Sequence, residues 1–253
     1  MSGSNKSEYI IGGWTQEIHV QPPVTFTCTM YGMVTNLKEL ATGTPPKQSW
    51  NWSPKTTPAP TVIHGDVMWT YGGAGAVPDD MPAGEQLDEI ASTCTRGSWA
   101  GIDFDNESRM NITNVIAVME QLKASGCPTS YTFLAGADYV DSGDSTVQSV
   151  VESGVCDRFV LMCYGGQMWG MNDIERYVSR AIEKTIHEYG VPEKKVILAL
   201  TPAGLTAENL DYFLQQVKTH HIGGLFIWNF QLLNAEDLET ICTQLGISSL
   251  EYM

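Results

Sequence analysis

Positive charge is scarce in this chain of 253 residues: 14 Lys and Arg stand against 29 Asp and Glu, a net charge of −15 at neutral pH. Nucleic acid and anionic membrane surfaces attract basic faces, so the balance argues against both as partners. A neutral or weakly cationic ligand is compatible with it. Long hydrophobic runs are missing too, since none approaches the roughly 18 apolar residues that a membrane span needs. The opening MSGSNKSEYI lacks the basic-then-apolar order of a secretion signal, and residues 1–7 read as a frayed tail. The six cysteines include no C-x-x-C pair, which speaks against zinc. His19, His64, His187, His220 and His221 show no ligand spacing with acidic partners, so no metal site is expected. His220 and His221 follow a helical stretch and suit its C-terminal dipole.

What is present is an apolar content of 43% with only 17% charged residues, enough for a sizeable core in one large domain. Eight short β-rich runs recur: EYIIGGW, TFTCTMYGM, VMWTYGG, AGIDFD, SYTFLAG, RFVLMCYGG, KVILALTPAG and GGLFIWNF. With Asp103, Phe133, Met162, Leu198 and Phe226 as strand centres, the spacings are 30, 29, 36 and 28 residues. A βα unit takes about 30 residues. Residues 110–125 place Ile112, Val115, Ile116, Met119 and Leu122 at helical steps and stop at Gly126. Residues 172–189, 205–218 and 234–246 behave similarly. Strands alternating with helices predict a parallel sheet, and eight of them predict an α/β fold closed as a (β/α)8 TIM barrel, one domain over 1–253. Between the first two runs lie only the residues TQEIHVQPP, too short for a parallel crossover helix. The Pro/Thr-rich stretch 42–62 reads as a long loop. The first helix, and with it the second, is therefore expected to be reduced or replaced by loops.

Within WAGIDFDNESR (99–109), Asp103, Asp105 and Glu107 alternate. Successive strand side chains point to opposite faces, so the three acids share one face and Ile102, Phe104 and Asn106 the other. Ile and Phe suit the helix-facing side of a barrel strand, which turns the acids into the lumen with Glu107 nearest the C-terminal mouth. Crowding and burial would then raise at least one carboxyl pKa and leave a proton for general-acid work. A strand end carrying solvated acids fits the same pattern.

GIDFDNE resembles the D-G-x-D-x-D-x-E signature of glycoside hydrolase family 18, the chitinases and related endo-β-N-acetylglucosaminidases. MWTYGGAG resembles that family's third-strand S-x-G-G segment, LMCYGG its sixth-strand M-x-Y-D/N segment, and GGLFIWN its last strand with a sugar-stacking Trp. The resemblance implies substrate-assisted retaining hydrolysis, an exception to the two-carboxylate schemes, with no cofactor. It makes Glu107 the acid that protonates the glycosidic oxygen. Asp105 would orient the substrate's 2-acetamido group, and Asp103 would tune Asp105 by sharing a proton. Tyr164 would donate a hydrogen bond to the acetamido oxygen, and Trp228 would floor the −1 sugar. The implied partner is an N-acetylglucosamine oligo- or polysaccharide, cut internally, because only residues 202–222 separate the last two strands and leave no room for a large insertion. Cleavage at the N-glycan core and a weak or inactive chitinase-like lectin or inhibitor are the alternatives. Two positions depart from the pattern: Ala100 stands for the first Asp of the signature, ~23 Å of strand before Glu107, and Gly165 stands for the usual Asp or Asn.

The Gly72–Gly73 pair of the third-strand segment is a further substrate-binding candidate. Trp14, Tyr31, Trp69, Tyr71 and Trp169 fall near strand ends, where they could line sugar subsites or pack under loops; Trp14, Tyr31, Tyr71 and Trp169 are taken as candidates. Trp50 and Trp52 are loop anchors or a sugar-gripping lid, and Asp138 is a turn residue that could reach the mouth. Cys28 and Cys163 read as core packing, whereas Cys94, Cys127 and Cys156 leave room for one disulfide. Sequons occur at Asn5, Asn51, Asn106 and Asn111.

Overall fold

The eight β-rich runs become eight parallel strands: β1 Ile10–Thr15, β2 Cys28–Val34, β3 Asp66–Gly72, β4 Gly101–Asp105, β5 Thr129–Leu134, β6 Arg158–Met162, β7 Val196–Leu200 and β8 Gly224–Trp228. They hydrogen-bond in sequence order, and β8 returns to β1 to close the barrel. This computed structural model describes residues 8–17, 19–34, 37, 65–74, 84–96, 100–107, 110–136 and 144–247. Among them run six α-helices: α1 Glu85–Arg96, α2 Ile112–Ala124, α3 Asp144–Ser153, α4 Met171–Glu183, α5 Ala207–Thr219 and α6 Ala235–Gln244. The described residues between β1 and β2 contain no helix, as the short connection requires. The stretch 42–62, with Trp50 and Trp52, lies outside the described residues, as does Asp138. None of the described helices is long and apolar enough to cross a membrane.

The helices start where their sequences supply a cap. Asn111 accepts the Asn114 N–H ahead of α2, and Thr206 and Asn209 exchange two bonds of 3.2 and 2.8 Å ahead of α5. Such a cap contributes about 1 kcal/mol. On α2 the fully buried residues are Val115, Val118, Met119 and Leu122; Ile112 and Ile116 are only partly covered, so the apolar stripe is rotated slightly from the expected one. The 172–189 stretch splits into α4 and a wider turn over Lys184–Glu188. At the end of α5, His220 packs against Ser179, and its burial lowers the imidazole pKa, opposing the charged form that the helix dipole favours.

Strand register sorts side chains into a lumen layer and an outer layer. Thr70, Asp103 and Ser130 stand side by side across β3, β4 and β5, and one step higher come Gly72, Asp105 and Thr132. The alternate set, Trp69 beside Ile102 and Tyr71 beside Phe104 beside Tyr131, faces the helices. Lower in the lumen, Cys28 Sγ lies 3.4 Å from Met68 Sδ, and the Arg158 guanidinium is 3.5 Å from the same sulfur. Cys28, Cys127, Cys156, Cys163 and Cys242 are all buried and form no disulfide. Cys127 and Cys156 thus take no part in the disulfide for which the sequence left room; the side chain of Cys94 lies outside the described residues.

Candidate active site

Asp103 anchors the site from below. It is fully buried and receives four hydrogen bonds, from Ser130 Oγ (2.6 Å), Thr132 Oγ1 (2.7 Å), Thr70 Oγ1 (3.1 Å) and Trp14 Nε1 (3.1 Å). Burial raises its pKa, and the four donors pull it back toward the ionised form. The register explains the cluster, because β3 and β5 flank β4 and present hydroxyl residues at its level. No hydrogen bond joins Asp103 to Asp105 among the described residues; Asp103's acceptor sites are taken by the four donors.

Asp105, one lumen step higher, is almost fully buried, and its Oδ1 has no hydrogen-bond partner among the described residues. Burial first, then the charges of Glu107 and Asp103, hold its carboxyl well above the ordinary range. Glu107 lies two residues past the end of β4 and is partly buried. Burial raises its pKa, while a backbone N–H bond from Ala74 lowers it. Two carboxyls so placed retain a proton to higher pH than isolated ones would.

That Ala74 bond explains Gly72 and Gly73. Both adopt positive φ, 101° and 92°, which favours glycine, and Gly73 N–H donates to Asp105 O at 2.9 Å. A Cβ on Gly73 would run into the Met33 thioether. The two glycines turn the chain over the end of β4 and bring Ala74 N–H to Glu107; they do not line the cavity themselves.

Above the acids opens a cavity of about 300 Å³, at the small end of ligand clefts. Asp105, Glu107 and Tyr164 supply its polar side chains, and Trp14 and Trp228 are its large aromatic walls. Trp14 and Trp228 are register partners on β1 and β8. Tyr164 follows β6 and is buried. Burial, followed by the charges of Asp105 and Glu107, keeps its phenol protonated as a donor well above its ordinary range. Every one of these groups sits at or just past the C-terminal end of a strand, the functional face of such barrels.

Three expected aromatic contacts also lie elsewhere. Tyr31 is fully buried with its hydroxyl on Val20 O at 2.8 Å, and Tyr71 is fully buried edge-on to Phe104 with centroids 6.2 Å apart. Both share the parity of Ile102 and Phe104, so they point out of the barrel and not into its mouth. Trp169 sits on the rim without lining the cavity, held edge-on by Tyr177 at 6.0 Å. Met33, Leu134 and Met162 line the apolar wall and were missed. Met162 was within reach of sequence reasoning, since it lies two residues before Tyr164 on the same strand face. Thr70, Ser130 and Thr132 were also missed; only the register between strands brings them to Asp103. Among the described residues, no three His, Cys, Asp or Glu side chains converge as a metal site would require.

No family model matches the chain, and no curated protein matches it. Solved structures do. A family 18 chitinase from Pseudoalteromonas aurantia superposes with a TM-score of 0.65 at 14% identity, over 93% of this chain and 99% of that one. The catalytic domain of a hyperthermophilic chitinase from Pyrococcus furiosus gives 0.60 at 14% identity, over 89% and 86%. A Schiff-base-forming fructose-1,6-bisphosphate aldolase also superposes, at 0.53 and 8% identity, over 94% of each chain. At these identities the likeness shows the fold, a (β/α)8 barrel, and the aldolase is a reminder that this barrel carries unrelated chemistries.

Proposed function

We propose that the protein is a family 18 glycoside hydrolase that cuts β-1,4-linked N-acetylglucosamine chains internally, with retention and with help from the substrate's own acetamido group. The observation that carries this reading is the convergence of Asp105, Glu107, Tyr164 and Trp228 on one cavity of about 300 Å³. In the free site the Asp105–Glu107 pair holds a proton to higher pH than isolated carboxyls would. The acetamido N–H of a bound sugar would meet the unpartnered Asp105 Oδ1, favour the ionised form of Asp105 and leave the proton on Glu107. Glu107 then gives that proton to the glycosidic oxygen as the C1–O bond breaks, and the acetamido oxygen closes on C1 to form an oxazolinium ion. Tyr164 holds that oxygen, and Trp228 packs on the sugar's C–H face. Water, deprotonated by Glu107, reopens the ring with retention. Superposition on chitinases supports this reading.

The test is release of product from a fluorogenic chitobioside and from chitin oligomers. Glu107→Gln should abolish release, and a thiazoline analogue of the oxazolinium ion should inhibit the wild type. An active protein indifferent to the thiazoline would refute substrate assistance. A lectin or inhibitor on the same barrel is the second reading, and exposed Gly165 favours it by leaving the sugar one side chain short. Oligosaccharide binding without any release would establish it. Release from N-glycans but not from chitin oligomers would move the substrate to the glycan core.

A further inference from the structure

Asn106 lies between Asp105 and Glu107 and faces away from the lumen. Its side chain makes two bonds there: Nδ2 donates to Tyr131 Oη at 2.7 Å, and Oδ1 accepts Met110 N–H at 3.0 Å. The first ties the turn after β4 to β5, and the second ties the residue before Glu107 to a residue three beyond it. Tyr131 is fully buried, packs on Phe133 with centroids 5.9 Å apart, and is hydrogen-bonded to Thr146 of α3. Backbone bonds complete the brace, with Asn106 N–H on Thr132 O at 2.9 Å and Glu107 N–H on Asp105 O at 3.1 Å. Asn106 also begins an Asn-Glu-Ser sequon, but its amide is engaged internally.

We propose that Asn106 and Tyr131 are positioning residues that fix Glu107 over the cavity, an inference that rests on reading Glu107 as the acid. A misplacement of about 1 Å can cost about a hundredfold in rate. Glu107 itself is faced by Asp105, with Asp103 below it on β4, by Ala74 N–H from the end of β3 and by Tyr164 from the end of β6.

The experiment follows the Glu107 carboxyl by ¹³C NMR through a pH titration, alongside kcat and KM on the fluorogenic chitobioside, in wild type, Tyr131→Phe and Asn106→Ala. A loosened turn admits water to the carboxyl. Its midpoint should fall by about half a pH unit or more toward the ordinary Glu value, and kcat by about tenfold with KM within about twofold. Asn106→Ala removes both side-chain bonds from a partly exposed turn while leaving buried Tyr131 in place, so it reports even if Tyr131→Phe folds poorly. An unmoved Glu107 midpoint in Asn106→Ala overturns the proposal, whatever happens to kcat. If the wild type cleaves nothing, the hydrolase reading fails separately, and the titration still decides the brace.

Discussion

The indole of Trp14 joins two parts of the site: its Nε1 donates to Asp103 Oδ2 at 3.1 Å while its ring walls the cavity beside Trp228. Phe226 holds that ring edge-on, with centroids 5.6 Å apart. Trp14→Phe keeps an aromatic wall but leaves Asp103 with three donors instead of four. Deleting one partner of a buried acceptor costs about 1–3 kcal/mol. Urea denaturation should show a loss of that size, and chitobioside hydrolysis should fall with it. Unchanged stability would mean that Asp103 does not depend on the indole.

Asp105 ties stability to pH. Its folded-state pKa is raised above the unfolded value of about 3.9, by burial first and then by Glu107 and Asp103. Folding therefore favours the protonated form. The associated stability is fully present below about pH 4 and is lost as pH rises through the folded value. Asp105→Asn removes the ionisation, so this variant should melt above wild type at pH 7, with the gap closing toward pH 4. Thermal melts at both values decide it; a gap of constant size across that range would sink the argument.

Gly73 is the hinge through which Ala74 reaches Glu107. At φ 92° any side chain is strained, and a Cβ there meets Met33. A residue forced into this region costs of order 1–3 kcal/mol. Gly73→Ala should lower the melting temperature, and displacement of Ala74 N–H should raise the Glu107 pKa, because the bond lost is the one that lowers it. The basic limb of kcat/KM should then move to higher pH. A basic limb that stays in place would show that Ala74 is not tied to Gly73's geometry.

Much of the site was legible because its logic is local. Alternation within one strand places Asp103, Asp105 and Glu107 on a common face, and that needs no knowledge of neighbours. Tyr164 and Trp228 came from resemblance to a family pattern. Tyr31 and Tyr71 went astray because parity has to be carried from strand to strand. Tyr31 pairs with Trp69, Trp69 with Ile102, and Tyr71 with Phe104, so all follow the helix-facing residues of β4. Asp103's donors were illegible for the same reason. Trp14 reaches it from 89 residues away, and Thr70, Ser130 and Thr132 reach it only once register is set.

Gly165 is where the chain departs from the pattern it otherwise resembles, and the structure says what a side chain there would meet. The residue is exposed at the cavity rim, and among the described residues a Cβ on it would touch only the Trp169 indole nitrogen, at an ordinary 3.7 Å. Its φ is not in the left-handed region, so an L-residue is not strained. Gly165→Asn should therefore fold with stability within about 0.5 kcal/mol of wild type. It adds an amide to a wall whose described polar groups include those of Asp105, Glu107 and Tyr164. One added hydrogen bond of about 1 kcal/mol in the transition state corresponds to roughly a fivefold gain in kcat/KM. Chitobioside kinetics on Gly165→Asn and, as a size control, Gly165→Ala read this directly. A gain in Asn but not in Ala would show that the missing polar group limits turnover. Equal rates in all three would show that the sugar is held without it.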